Sequence, residues 1–170
     1  MNLLPPLPAW DAMHPLVVHF PIALVCIAPL FLLFALVWPG RWKEFMTVAA
    51  LVAVMGAAAC VVAVMTGEAT EKAVIVGSAD RLMHEHEELA ETARTIALVV
   101  AAAAVLMAGF AWLRPKTGLV GRALVTLVLL GGQIAAISFV ARAAHAGGRL
   151  VHEHGVTAPM GGPKPLLDAD

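Results

Sequence analysis

Charge is the scarcest thing in this chain. Asp, Glu, Lys and Arg together supply 14% of its 170 residues, against ~25% in an average soluble domain, while 61% are apolar. Such a composition belongs in lipid. The formal balance of −1 gives no whole-chain attraction to nucleic acid, and no nucleic-acid motif occurs. Two cysteines, Cys26 and Cys60, both inside apolar runs, cannot make a secreted disulfide scaffold and read as packing thiols. Glycine (14) and proline (11) are too few for a collagen-like or low-complexity chain, and the aliphatic excess excludes disorder. Catalytic signatures are missing too: no Ser/His/Asp order, no P-loop, no G-x-G-x-x-G, no H-E-x-x-H and no C-x-x-C-H. A redox or binding subunit is expected rather than a stand-alone enzyme.

What is present is apolar length. Four uncharged runs, Leu16–Trp38, Phe45–Thr66, Thr95–Leu113 and Ala123–Ala141, hold 83 of the residues. A hydrocarbon core of ~30 Å needs roughly 20 helical residues, and four strands could not close a barrel, so four helices follow. The first run has no basic flank before it and is long for a cleavable signal. The expected fold is an all-α integral membrane protein, a four-helix up-down bundle with helices at about 15–38, 45–66, 79–113 and 119–146. An N-terminal arm (1–14) precedes it and a tail (147–170) follows, flexible from Gly155 onward.

Basic residues set the orientation. Arg41 and Lys43 lie in the first short turn, and Arg114, Lys116 and Arg122 in the third. The other side holds six Lys/Arg but 11 of the 12 acidic residues. Both termini are therefore expected outside, in a multi-pass protein of a bacterial inner membrane. Pro15 suits a first helical position, Pro21 and Pro29 should bend the first helix, and Pro39 and Pro115 end the first and third. From Asp80 no breaker occurs before Pro115, which predicts a helix of roughly 34 residues and ~51 Å that overshoots the bilayer on the outer side. Small residues such as Ala49, Ala53, Gly56 and Ala57, Ala101 to Ala104, and Gly131, Gly132 and Ala136 mark where helices touch, since lipid gives them no hydrophobic reason to associate.

All seven histidines, His14, His19, His84, His86, His145, His152 and His154, fall at the outer end. Outer segments hold most polar positions anyway, yet three segments carrying them converge in a bundle, which points to a metal or haem site. Helical phase puts His86 inward with Leu82, Leu89, Ala93 and Ile96, and His84 outward with Arg81, Glu88 and Glu91. His19 lies about a turn below the surface, in line with Ala23, Cys26 and Leu30, where an imidazole must be satisfied.

The stretch His14-Pro15-Leu16-Val17-Val18-His19-Phe20-Pro21 resembles the opening signature of the predicted bacterial membrane proteins known as domain of unknown function 2231. Thr66-Gly67, His86-Glu87-Glu88-Leu89-Ala90 and Gly147-Gly148-Arg149-Leu150-Val151-His152-Glu153-His154 are similar to its other motifs, with His152 standing where tyrosine is common. The resemblance implies a four-span fold with functional histidines on one side and no particular activity.

Three functions stay open. The first is a b-type cytochrome-like electron-transfer subunit, with haem b held by His19 and His86 as an axial pair on diagonal helices. His14 and His154 would serve a second site or the propionates, and Arg94 and Arg149 would pair the propionates. Quinol and a periplasmic carrier or larger redox complex would be its partners. The second is a bare Cu, Zn or Fe ion held by His14, His19, His86 and His154, with Glu68, Glu87 or Glu153 nearby and Met13, Met65 and Met83 available to Cu(I). The third is a membrane anchor without a cofactor. Haem predicts colour lost with either axial histidine; a bare ion predicts stoichiometric metal without that colour; an anchor predicts neither.

Overall fold

The computed structural model describes residues 8–74 and 77–157. Four helical stretches are long and apolar enough to cross a bilayer: His14–Val37, Pro39–Glu71, Gly77–Leu113 and Leu119–His154. The first comprises α1 (His14–Val17) and α2 (His19–Val37); the others are built on α3 (Trp42–Glu71), α4 (Asp80–Leu113) and α5 (Leu119–His154). Short connections make chain neighbours antiparallel. α2 packs on α3, α3 on α4 and α4 on α5, and α5 closes back on α2. The chain is thus the all-α, four-span up-down bundle expected from its apolar runs.

Each boundary has a local cause. Pro21 has no N–H to give the Val17 carbonyl, and the helix breaks at Val18, with the next bond, Ile22 N–H to Val18 carbonyl, stretched to 3.4 Å. Pro29 is carried inside α2, where it is buried. α2 and α4 stop at Trp38 and Arg114, each directly before a proline.

Two helices differ in extent from expectation. α3 begins at Trp42 rather than 45 and runs to Glu71 rather than 66. α5 passes through Gly147-Gly148 and ends at His154, so the tail expected from 147 starts eight residues later. A glycine inside a helix weakens it by only ~1 kcal/mol, and the buried Ala146 and Leu150 keep this turn packed on Leu82 and Leu89 of α4. The true stop is Gly155. It adopts φ +66°, and the bond Gly155 N–H to Val151 makes an αL-type cap, with Val156 N–H closing on the Leu150 carbonyl. The remainder of the expected tail, 158–170, and the first seven residues of the expected arm lie outside the described residues. The rest of the arm is tied down: Trp10–Ala12 forms a 3-10 turn, and Thr70 Oγ1 donates to the Asp11 carbonyl at 2.6 Å.

Small residues let the helices approach. Ala49, Ala53, Ala57 and Cys60 of α3 face Ala93, Ala97, Ala101, Ala104 and Ala108 of α4 in one buried cluster. A Cβ at Gly132 would stand 2.9 Å from Val100 Cγ2, and one at Gly56 3.3 Å from Val25 Cγ2. Large side chains such as Leu106 and Val128 point outward, where lipid solvates them.

At 1.5 Å per residue α5 is ~54 Å long, well beyond the ~30 Å hydrocarbon core. The excess of α3, α4 and α5 projects at the histidine end, with its own small core of Leu82, Leu89, Ala143, Ala146 and Leu150. The opposite end is fastened by polar contacts. Arg122 donates to the carbonyls of Pro39, Pro115 and Thr117, each at 2.9 Å, with its guanidinium over Trp42, whose Nε1–H reaches Thr126 Oγ1 at 3.0 Å.

Candidate functional site

His14 opens α1, and its side chain enters the bundle. The imidazole lies against α3: Nδ1 is 3.0 Å from the Ala63 carbonyl and 3.3 Å from Thr66 Oγ1. A carbonyl only accepts, so Nδ1 carries the proton and donates it, and the lone pair of the neutral ring sits on Nε2. Thr66 spends its own proton on the Val62 and Ala63 carbonyls at 3.0 Å, which leaves its oxygen able to accept.

Across the bundle His86 is held by the same device. It is half-buried on the inward stripe of α4, and its Nδ1–H donates to the Ala143 carbonyl of α5 at 2.8 Å. In both cases a glycine follows the accepting carbonyl by four residues and makes room for the ring. A Cβ at Gly67 would stand 3.2 Å from His14 Cε1, and one at Gly147 3.0 Å from His86 Cε1. The four stretches that carried the family resemblance therefore meet here: His14 with Thr66-Gly67, and His86 with Gly147.

The two rings stand 6.2 Å apart between centroids, with an interplanar angle of 84°. They border a cavity of about 520 Å³ that every helix helps to line. Its walls are mostly small and aliphatic, including Cys60, Ala63, Ala90, Ala93 and Val140, with Pro21 of α2 beneath. Its polar lining comprises His14, His19, His86 and His152, the carboxylates Glu68, Glu71 and Glu87, and Thr70. No Lys or Arg among the described residues lines it.

The structure redistributes the residues singled out in the sequence. His14 and His86 form the close pair on diagonal helices, in place of His19 and His86. His19 is exposed at the cavity rim, and its stripe of Ala23, Cys26 and Leu30 is exposed as well, whereas Pro21, Val25, Ala28 and Leu32 are buried. His154 is exposed and does not line the cavity. Arg94 pairs with Glu91 at 3.7 Å, and Arg149 with Glu153 at 3.0 Å. Arg149 instead shares a separate depression with Glu85, Arg142 and His145. His84 points outward with Arg81, Glu88 and Glu91, and Leu82, Leu89 and Ala93 inward, as the helical phase predicts. Of the carboxylates weighed as ligands, Glu68 and Glu87 line the cavity and Glu153 does not; Met83 lines it too, and Met65 is exposed.

Sequence reasoning missed His14 as the partner of His86. The signal lay in register: His14, Pro21, Val25, Ala28 and Leu32 fall at i, i+7, i+11, i+14 and i+18 of one helical face. The glycines opposite the two rings were visible as motif residues without a stated role.

No curated protein and no solved structure matches the chain. A family model described as predicted membrane protein (DUF2231) matches residues 11–159, nearly the whole chain and all of the elements that build the cavity. The chain belongs to this family of predicted membrane proteins.

Proposed function

We propose that this protein is a membrane-embedded haem-binding electron-transfer subunit, with His14 and His86 as the axial ligands of one b-type haem. The observation that carries this reading is the donor set. Both rings give Nδ1–H to a main-chain carbonyl and keep Nε2 for a ligand, the outer-shell pattern of metal-bound histidine. Two imidazoles bound through Nε2 on opposite sides of one ion, at ~2.0 Å per bond, stand about 6 Å apart between centroids, which the 6.2 Å separation matches.

The same donor set favours haem over a bare ion. No third His, Cys, Asp or Glu ligand atom gathers with those of His14 and His86 among the described residues. A bare ion would have two protein ligands where three or four are the rule, whereas a porphyrin brings its own equatorial nitrogens and asks the protein for two axial ones. The apolar cavity of about 520 Å³ suits a flat macrocycle rather than a hydrated ion.

When bound, haem supplies a one-electron iron couple; this chain's residues do the rest. Nδ1–H donation to Ala63 and Ala143 fixes ring orientation and raises the basicity of Nε2. Gly67 and Gly147 admit the rings against the helix backbones. Cys60, Ala63, Ala90, Ala93 and Val140 would give the group an apolar surround. His19 and His152, which line the cavity while Arg94 and Arg149 pair with Glu91 and Glu153, are the residues that would hold the propionates. By the distribution of Lys and Arg, this end faces the periplasmic side of a bacterial inner membrane, where quinol in the bilayer or a soluble carrier could exchange electrons with it.

The test is an absorption spectrum of the detergent-purified protein, oxidised and then dithionite-reduced, with metal analysis of the same sample. A Soret band that shifts and sharpens on reduction, kept in His19→Ala and lost in His14→Ala and His86→Ala, is expected. A colourless protein after expression with ample haem and iron would overturn the reading.

A further inference from the structure

Above the histidine pair, where α3 ends and α4 begins, a second group of donors converges. One ligand atom each from Glu71 of α3 and from His84 and Glu87 of α4 all lie within 4.8 Å of one another. His84 Nδ1 and Glu87 Oε2 are already 3.6 Å apart. In a tetrahedral site with bonds of about 2.0–2.1 Å, neighbouring ligand atoms stand roughly 3.3 Å from each other. One pair is thus close to that separation, and the third atom, within 4.8 Å of both, needs a side-chain adjustment at the helix end.

Charge argues in the same direction. Glu71 and Glu87 bring two carboxylates together at the mouth of the cavity, and neither makes an ion pair with Lys or Arg among the described residues. The three residues come from two helices, so they are more than an i, i+3 pair on one solvated face. Bundle packing brings the end of α3 against the start of α4, and α4's phase puts Glu87 on the cavity side while His84 reaches across from the outer side.

We propose that Glu71, His84 and Glu87 form a divalent metal site that bridges α3 and α4, with water completing its coordination. One imidazole and two carboxylates select a borderline ion such as Zn²⁺: the nitrogen disfavours Mg²⁺ and Ca²⁺, and the lack of a thiolate or thioether in the set disfavours Cu(I). Its three donors are distinct from His14 and His86, although Glu71 and Glu87 also line the mouth of the cavity.

The experiment is titration of the chelator-stripped full chain in detergent with Zn²⁺ by calorimetry, with Co²⁺ as an optical probe of coordination geometry. One ion per chain is expected. Glu71→Gln, which keeps the side chain's shape at a half-buried position, and His84→Asn, at an exposed one, should each weaken binding at least tenfold, while His14→Ala should leave it unchanged. Equal zinc affinity in wild type and both variants, no stoichiometric binding, or loss of binding in His14→Ala would each overturn the proposal.

Discussion

Substituting Gly147 by Ala isolates the role of the space beside His86. The new Cβ would sit 3.0 Å from His86 Cε1 and 3.3 Å from Nδ1, while Nδ1 is held at 2.8 Å from the Ala143 carbonyl. The ring must move by several tenths of an ångström to regain ordinary contact, and the hydrogen bond opposes that movement. Losing the bond costs about 1 kcal/mol, and forcing the ring off its rotamer about 1 kcal/mol more. The empty protein escapes most of this by letting the imidazole swing away, and it gains ~1 kcal/mol because alanine is the better helix former. A bound haem cannot tolerate that swing. Its affinity therefore carries close to the full ~2 kcal/mol, roughly thirtyfold, although the fold itself is hardly weakened. Gly148→Ala, whose would-be Cβ has no protein atom within 4 Å, shows what a methyl on the cavity lining does without touching His86. Haem titration of both variants, with denaturant or heat unfolding alongside, separates the two effects. Wild-type affinity and a wild-type reduced spectrum in Gly147→Ala would refute the assignment of His86 as a ligand.

The other perturbations address packing away from the site. Gly132→Ala puts a Cβ 2.9 Å from Val100 Cγ2 at the α4–α5 contact and should destabilise the bundle by about 1–3 kcal/mol in detergent unfolding, whereas Gly131→Ala, with nothing within 4 Å, should not. Trp42→Phe strips the donor from buried Thr126 and should cost ~1 kcal/mol of stability while leaving any haem spectrum intact, since it lies at the opposite end. Arg122→Lys cannot reach the Pro39, Pro115 and Thr117 carbonyls with one ammonium as the guanidinium fork does; a loss of about 2 kcal/mol, read as a lower unfolding midpoint, is expected, and an unchanged midpoint would show that these bonds contribute little.

The architecture was legible because it follows from quantities lipid makes coarse: apolar length, proline stops and small residues. Helical phase was legible only where one face meets water. On α4 the exposed stripe of Arg81, His84, Glu88 and Glu91 contrasts with Leu82, Leu89 and Ala93, so the inward position of His86 could be read directly. On the first span both faces are apolar, because one meets the core and the other meets lipid. Hydropathy could not choose between the His14 stripe and the His19 stripe, which lie five residues and so about 140° apart around the same span. The arginines went astray for a different reason. Arg94 and Arg149 each have a glutamate within one turn of their own helix, Glu91 and Glu153, and these local pairs satisfy them without the cavity. The end of α5 was misplaced because a glycine pair inside a helix looks like a terminus, while the residue that stops the helix is the one able to take positive φ, Gly155.

One regularity bears on the kind of ligand the cavity is built for. The first helical hairpin, α1 and α2 with α3, holds His14 by a carbonyl at 63 and a glycine at 67; the second, α4 with α5, holds His86 by a carbonyl at 143 and a glycine at 147. The same local solution occurs twice, once per hairpin, and the two rings are delivered from diagonal helices toward one centre. A ligand with one reactive face would need one such device and a dissimilar opposite wall. A six-coordinate metal in a planar macrocycle presents two chemically equivalent axial positions on opposite sides, and equal anchoring of both imidazoles is what that equivalence requires. If this is the reason for the repetition, Gly67→Ala and Gly147→Ala should resemble each other in how they alter the haem spectrum. Their effects should also be unequal in the order of the contacts they create, 3.2 Å for the first and 3.0 Å for the second. A spectrum altered by one substitution and indifferent to the other would mean that only one histidine binds the iron, and that the duplicated geometry serves packing on the other side.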